Sequence, residues 1–339
     1  MKIMPIKEIP YFSRLGQNIY RHDGLLALPR GIVLREKELK EIEHYGIDFT
    51  IVYDKTISMG SYEDTSFTLN VIESAFLKTT LWEEKTGEIL YEYIHNEVIN
   101  NKKVAKMLNE LRIADSYSFA HSINISLVVS SILMKKVKDY ETLGKIAYIS
   151  LIHDIGRLKM INLFNKEGKL TSKEYEVLRK HPEESYNMLK KAGFIDAEVS
   201  FVIETHEKYN GTGYPYNLKG PEISELGQLI LIADVYNALS SFRPYRDSYL
   251  PHIVSQMIEE EKGHAFGKEV VEIFKENFEP YKKGMLVVLN DNTIAKVKNT
   301  FFSKTLPVVE LIDEETGEVL KMVDLSSSNK YRIKRIIGV

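Results

Sequence analysis

The sequence contains no cysteine. That absence excludes a disulfide framework, a thiolate zinc site and a cysteine nucleophile, so any metal must be held by His, Asp, Glu or water. It suits a reducing, cytoplasmic setting, which is the expected location. Proline and glycine are sparse, at 10 and 19 of 339 residues, which excludes collagen-like structure. With 44% hydrophobic and 27% charged residues, the chain can bury enough apolar area to exclude wholesale disorder. Neither sign of charge dominates: 45 Lys+Arg face 48 Asp+Glu, so the basic excess of a duplex-binding surface is missing. The most apolar stretches, residues 123–134 and 226–239, fall short of the roughly 18 to 20 residues that span a bilayer. The opening MKIMPIKEIPYF has no apolar core like that of an export signal, and Pro5 and Pro10 interrupt it. No membrane span is expected.

At about 150 residues per domain, the length predicts two or three domains. QNIY, RHDG and LLALP from Asn18 read as two short strands around a turn eased by Gly24. Leu39, Ile42 and Tyr45 recur at helical spacing, Gly46 can stop that helix, and FTIVY has strand composition. Residues 1–80 are therefore expected to form an α+β regulatory or dimerisation module. Residues 81–280 carry long helical patterns. Within them, Thr171 and Glu174 have the form of a capping box, and Pro182 suits the first turn of a helix ending near Gly193. Residues 281–339 read as short strands, MLVVLN, TIAKVK, PVVELID, EVLKMV and the tail YRIKRIIGV, in a C-terminal β subdomain. The expected class is mainly α, a helical bundle flanked by two small modules.

Nine histidines are present, and His121, His153, His181 and His206 lie in or at the ends of predicted helices. Asp154 and Asp234 sit in the apolar segments YISLIHDIG and LILIADVYNAL. An ionised carboxylate there costs several kcal/mol unless paired, hydrogen-bonded or metal-bound, and a metal would satisfy both. The six residues are spaced widely enough for several helices to send ligands into one bundle core. His22 also precedes an aspartate, but Asp23-Gly24 is ordinary turn chemistry and no catalytic role is assigned to it. His44, His95 and His252 are expected at the surface and His264 in a loop.

HDIGR at 153–157, HPEES from 181, THEKYNGTGYP from 205 and ADVYNALSSFRPYR from 233 together resemble the HD-GYP branch of the HD metal-dependent phosphohydrolases. The resemblance runs from about Tyr117 through Phe278. It implies a helical HD-GYP body with His121, His153, Asp154, His181, His206 and Asp234 as metal ligands, and Gly213, Tyr214 and Pro215 as the signature tripeptide. It implies two divalent ions, iron or manganese, with Asp154 bridging them and organising catalysis. Arg157, Arg243 and Arg246 would meet phosphate, and Tyr214 a nucleotide base. The implied activity is hydrolysis of cyclic di-GMP to a linear dinucleotide or on to GMP. The implied partners are a diguanylate cyclase domain or a second copy of the chain.

The departures fall near the chemistry. Thr205 stands where the family has the first histidine of a His-His-Glu run, Arg157 replaces a lysine, Asn210 and Asn237 replace acids, and Tyr117 replaces a glutamate that serves a third metal in some members. Thr205, Asn210 and Asn237 motivate a second reading, a catalytically impaired nucleotide receptor or docking module, and a third reading is an HD phosphohydrolase acting on another cyclic dinucleotide or nucleotide.

Overall fold

A computed structural model describes residues 2–53, 64–164, 166, 168–242, 248–300, 303, 306–313 and 316–338. The chain opens with β1 (Lys2–Pro5), β2 (Arg14–Leu15), β3 (Ile19–Tyr20) and β4 (Leu26–Leu28), followed by helix α1 (Glu36–His44) and β5 (Phe49–Tyr53). β1, β5 and β2 form an antiparallel sheet in that order. Ile6, Leu15, Ile19, Leu28, Leu34, Ile42 and Val52 bury a small core between this sheet and α1. β3 and β4 pair as the expected hairpin, Ile19 opposite Leu28, and Gly24 turns it at φ +80°. The tip leaves the N-terminal core: Leu25 and Leu26 pack into the helical body instead.

The body is built from α2 (Thr65–Lys78), α3 (Glu84–Asn100), α4 (Lys102–Ala114), α5 (Ser116–Leu133), α6 (Tyr140–Ile152), α7 (His181–Ala192), α8 (Glu225–Ser240), α9 (Pro251–Glu260) and α10 (Lys268–Asn277), with shorter turns between them. Leu69, Val71, Ile72, Ala75 and Phe76 of α2 share its core. α5 and α8 lie at the centre, because they are apolar on nearly every face: Ile123, Ile125, Leu127, Val128, Val129 and Ile132, and Leu229 through Ala233, are all buried. Truncating any of these leucines or isoleucines to alanine costs about 2–5 kcal/mol. Side-chain caps set the helix starts, with Asp115 accepting from the Ser118 amide at 3.0 Å and Ser224 from the Gly227 amide at 3.1 Å. The Thr171–Glu174 capping box and the Pro182 start of α7 occur as expected, and Gly193 ends α7 at φ +109°.

β6 (Leu286–Leu289), β7 (Ile294–Asn299), β8 (Val308–Ile312), β9 (Val319–Asp324) and β10 (Ile333–Gly338) form an antiparallel sheet of order β10-β6-β7-β8-β9, with its own core around Met285, Val287, Val297 and Val309. His252, expected at the surface, is partly buried where α9 meets this module, its Nδ1 2.8 Å from the Tyr281 hydroxyl. Burial pushes it down to about 4. Among the described residues no helix is long and apolar enough to cross a membrane.

Candidate metal centre

Helix ends place most of the donors. His153 caps the C-terminus of α6, Asp154 starts the 3-10 turn Ile155–Met160, His181 is the first residue of α7, and His206 follows the 3-10 turn Ser200–Glu204. His121 and Asp234 come from within α5 and α8. Two glycines make the approach possible. A Cβ on Gly156 would lie 2.2 Å from the His181 carbonyl oxygen and 2.4 Å from the Ser185 amide, so only glycine lets the HD turn rest on the start of α7. A Cβ on Gly213 would lie 2.3 Å from the Lys208 amide, so the signature loop folds directly against the segment after His206. Glu207 secures that loop by accepting from the Tyr216 amide at 2.6 Å.

All six predicted ligands converge. Asp154 Oδ1 is 3.2 Å from His181 Nε2 and 3.6 Å from His206 Nε2. Asp154 Oδ2 is 3.6 Å from His153 Nε2 and 3.7 Å from His121 Nε2. Asp234 lies 3.3 Å from His121 Nε2 and 3.6 Å from His206 Nδ1. Among the described residues, His121, His153 and Asp154, and again Asp154, His181 and His206, keep their ligand atoms within 4.8 Å of one another.

This donor set fits a divalent cation. His153 Nδ1 donates to the Ser150 carbonyl and His181 Nδ1 to the Leu178 carbonyl, each at 2.7 Å, so both Nε2 atoms carry lone pairs into the cluster. His181 Nε2 and His206 Nε2 are 2.8 Å apart, close to the roughly 3 Å between two imidazole nitrogens at right angles on one ion. Neither oxygen of Asp154 has an aligned hydrogen bond, although both are buried. Arg157 Nη2 stands 2.5 Å from Oδ2, an ion pair by distance but not in hydrogen-bond alignment. Burial opposes the charge on Asp154, but the Arg157 guanidinium beside it outweighs that and holds the carboxyl well below its usual range. Burial keeps His153 and His181 neutral and pushes His121 down to about 3, with Arg157 adding to it.

The other candidate residues distribute as follows. Arg157 also donates to Ser118 Oγ at 3.2 Å and lies over the Phe164 ring, and its Nε has no partner. Tyr214 stacks on His206, ring centroids 5.0 Å apart, so it walls the cluster. Arg243 and Arg246 lie outside the described residues. The Thr205 hydroxyl donates to the Val202 carbonyl at 3.0 Å and is buried, so it is spent on its own backbone. Asn210 is exposed and accepts from the Thr212 amide and hydroxyl, so its missing charge is used up in a loop turn. Tyr117 donates to Glu38 and Glu41 of α1, tying α5 to the N-terminal module.

Sequence reading missed four residues. Arg21 and Asp23 at the hairpin tip form a buried ion pair, so Asp23 is more than a turn residue. Arg21 continues to Asn237, which touches His121, and Asn124 joins the same network. Two opposite charges directly before the apolar run LLALP were the available signal. Arg179, 5.6 Å over the Tyr214 ring, is exposed beside this wall and left no recognisable pattern.

Residues 101–270 match the HD domain family. The chain is 29% identical over 210 residues to a cyclic di-GMP phosphodiesterase of Pseudomonas aeruginosa, covering 61% of this chain and 50% of that protein. It is 32% identical over 203 residues to a cyclic di-GMP phosphodiesterase of Vibrio cholerae, covering 54% and 41% respectively. It is 30% identical over 135 residues to 3'3'-cGAMP-specific phosphodiesterase 2 of Vibrio cholerae, covering 39% and 26%. The chain thus spans half or less of the length of these relatives. With half of its residues matched, the chain belongs to the HD domain family. Within that family the HD-GYP membership read from its motifs is borne out.

Proposed function

We propose that the chain is a metal-dependent phosphodiesterase that hydrolyses cyclic di-GMP to a linear dinucleotide or on to GMP. The observation that carries the reading is the sharing of Asp154 by two donor groups, His121 and His153 on one side, His181 and His206 on the other. These residues with Asp234 are the proposed ligands. Nitrogen and oxygen donors without thiolate suit iron or manganese. A bound divalent ion supplies Lewis-acid polarisation of the phosphodiester and activates the attacking water.

The chain's own residues do the remaining work. Asp154 stays ionised beside Arg157 and orients both donor groups. Arg157, set beside Asp154 at the edge of the cluster, is the proposed phosphate contact. Tyr214 holds the His206 ring flat and offers its other edge to a base. Arg243 and Arg246 are proposed phosphate contacts on the resemblance alone. Residues 1–80 are proposed as the module that meets a cyclase domain or a second copy, 81–280 as the phosphohydrolase domain and 281–339 as a β subdomain, in a cytoplasmic protein.

A receptor reading has one observation in its favour. Thr205 turns its hydroxyl onto Val202, so one expected imidazole is missing beside His206. The relatives' names also admit 3'3'-cGAMP as a substrate. A chromatographic assay of cyclic di-GMP, 3'3'-cGAMP and a linear dinucleotide with Mn(II) tests all three readings. Faster cleavage of cyclic di-GMP supports the proposal, preference for 3'3'-cGAMP redirects it, and tight binding without products favours the receptor.

A further inference from the structure

A metal-binding imidazole ordinarily gives its other N–H to a carbonyl or carboxylate, which leaves the ligating nitrogen bare. His153 and His181 obey this rule. His121 does not, because its Nδ1 is met at 3.0 Å by the amide nitrogen of Asn237 rather than by an acceptor.

The orientation of Asn237 follows from groups whose roles are fixed. The Leu26 amide can only donate and its carbonyl can only accept. They pair with Asn124 Oδ1 and Nδ2, each at 2.8 Å, so Asn124 must present N–H beyond them. Asn124 Nδ2 then faces Asn237 Oδ1 at 3.2 Å. Arg21 Nη1, also a donor only, faces the same oxygen at 3.0 Å. Arg21 is itself locked by Asp23 and by Ser240 and Ser241. With two donors on its oxygen, Asn237 turns its NH2 to His121. Nδ1 of His121 is therefore the acceptor and its proton sits on Nε2, the atom that faces Asp234 and Asp154.

We infer that Arg21, Asn124 and Asn237 are positioning residues that hold His121 in the tautomer unable to ligate through Nε2, so that the Asp154, His181 and His206 group takes the first metal ion. The inference rests on the metal-centre reading proposed above. For Nε2 to bind an ion, its proton must leave to solvent or move to Nδ1. A proton on Nδ1 would point at an N–H, and turning Asn237 over would set that N–H against Arg21 and Asn124. His206 escapes this conflict, because its Nε2 lies 2.8 Å from the bare His181 Nε2, an acceptor, and its Nδ1 faces the Asp234 carboxylate at 3.6 Å rather than an N–H. The hairpin tip thereby reaches the metal centre from the N-terminal module without touching it. An aspartate at 237 would accept from Arg21, Asn124 and His121 Nδ1–H together and release Nε2. Outer contacts of this kind shift metal affinity by about 10–100-fold.

The test uses the full chain with 15N-labelled histidine. Long-range 1H–15N spectra of the metal-free protein, with His121 assigned through His121→Gln, should show His121 protonated at Nε2 and His153 and His181 at Nδ1. Asn237→Asp should move the His121 proton to Nδ1. In a Mn(II) titration read by electron paramagnetic resonance, it should tighten the weaker of two binding steps about 10–100-fold. A wild-type His121 protonated at Nδ1 overturns the inference, as does an Asn237→Asp protein that changes neither tautomer nor Mn(II) steps. If the variant does not fold, the wild-type spectrum decides alone. Neither readout depends on hydrolysis, so failure of the proposed activity leaves this result standing, and the reverse.

Discussion

The histidines around Asp154 differ in what stands behind them. His153 and His181 lean on carbonyls three residues earlier in their own turns, Ser150 and Leu178. Those supports are backbone and arrive with the helix. His121 leans on a side chain from another helix, ordered by a hairpin about one hundred residues earlier in the chain. A backbone anchor can be removed only by unfolding the turn, whereas a side-chain relay can be adjusted by one substitution or by movement of the N-terminal module. The settings of His153 and His181 are therefore robust and that of His121 adjustable.

The comparison can be broken most sharply at the shared atom pair. Asp154→Ala should remove both groups at once, abolishing metal retention and lowering turnover by about 10³-fold or more, because several kcal/mol of charge stabilisation go with the metal. Metal analysis beside product chromatography checks it. Asp23→Ala strikes only the relay. It leaves Arg21 buried without its carboxylate, at a cost of about 3–5 kcal/mol seen in the denaturant midpoint.

Gly156→Ala strikes the backbone-supported His181. The new methyl meets the His181 carbonyl and the Ser185 amide, so stability should fall by about 1–3 kcal/mol and the stronger metal step should weaken more than the other. Thr205→His should act the opposite way. Thr205 already bonds the carbonyl three residues back, the same contact that His153 and His181 make, so a histidine there gains a ready anchor and should raise Mn(II) affinity about 10–100-fold.

Acid gives a subtler separation. His121 is pushed down to about 3 in the folded, metal-free protein, whereas it binds a proton near 6.5 when unfolded. The unfolded state thus holds more protons in this window, and the stability from neutral His121 is complete above about pH 6.5 and declines as pH falls toward 3. Wild type should lose on the order of 1–2 kcal/mol more than His121→Gln between pH 6.5 and 5, measured by denaturation in chelator.

Much of the backbone-supported part of the site was legible in the sequence, because its pieces are local. His153, Asp154 and Gly156 fall within one turn, Pro182 marks the start of α7, and the C-terminal strands announce themselves by alternation and turn residues. The relay was illegible for the opposite reason. Asn237 reads as a lost charge and Asp23 as a turn residue until the fold brings both to Arg21. His252 was misread likewise, since nothing local shows that Tyr281 will cover it. Asn210 reads as a lost charge near the chemistry, whereas its side chain caps a loop turn by accepting from Thr212.

Metal-dependent cleavage of a cyclic dinucleotide is the activity proposed for the shared Asp154 centre. The direct measurement is anaerobic purification, metal analysis, and chromatography of cyclic di-GMP with Fe(II) or Mn(II) supplied, beside Asp154→Ala. Metal-dependent linear product that disappears in Asp154→Ala is the expected result. Intact nucleotide over a protein with confirmed metal would contradict it.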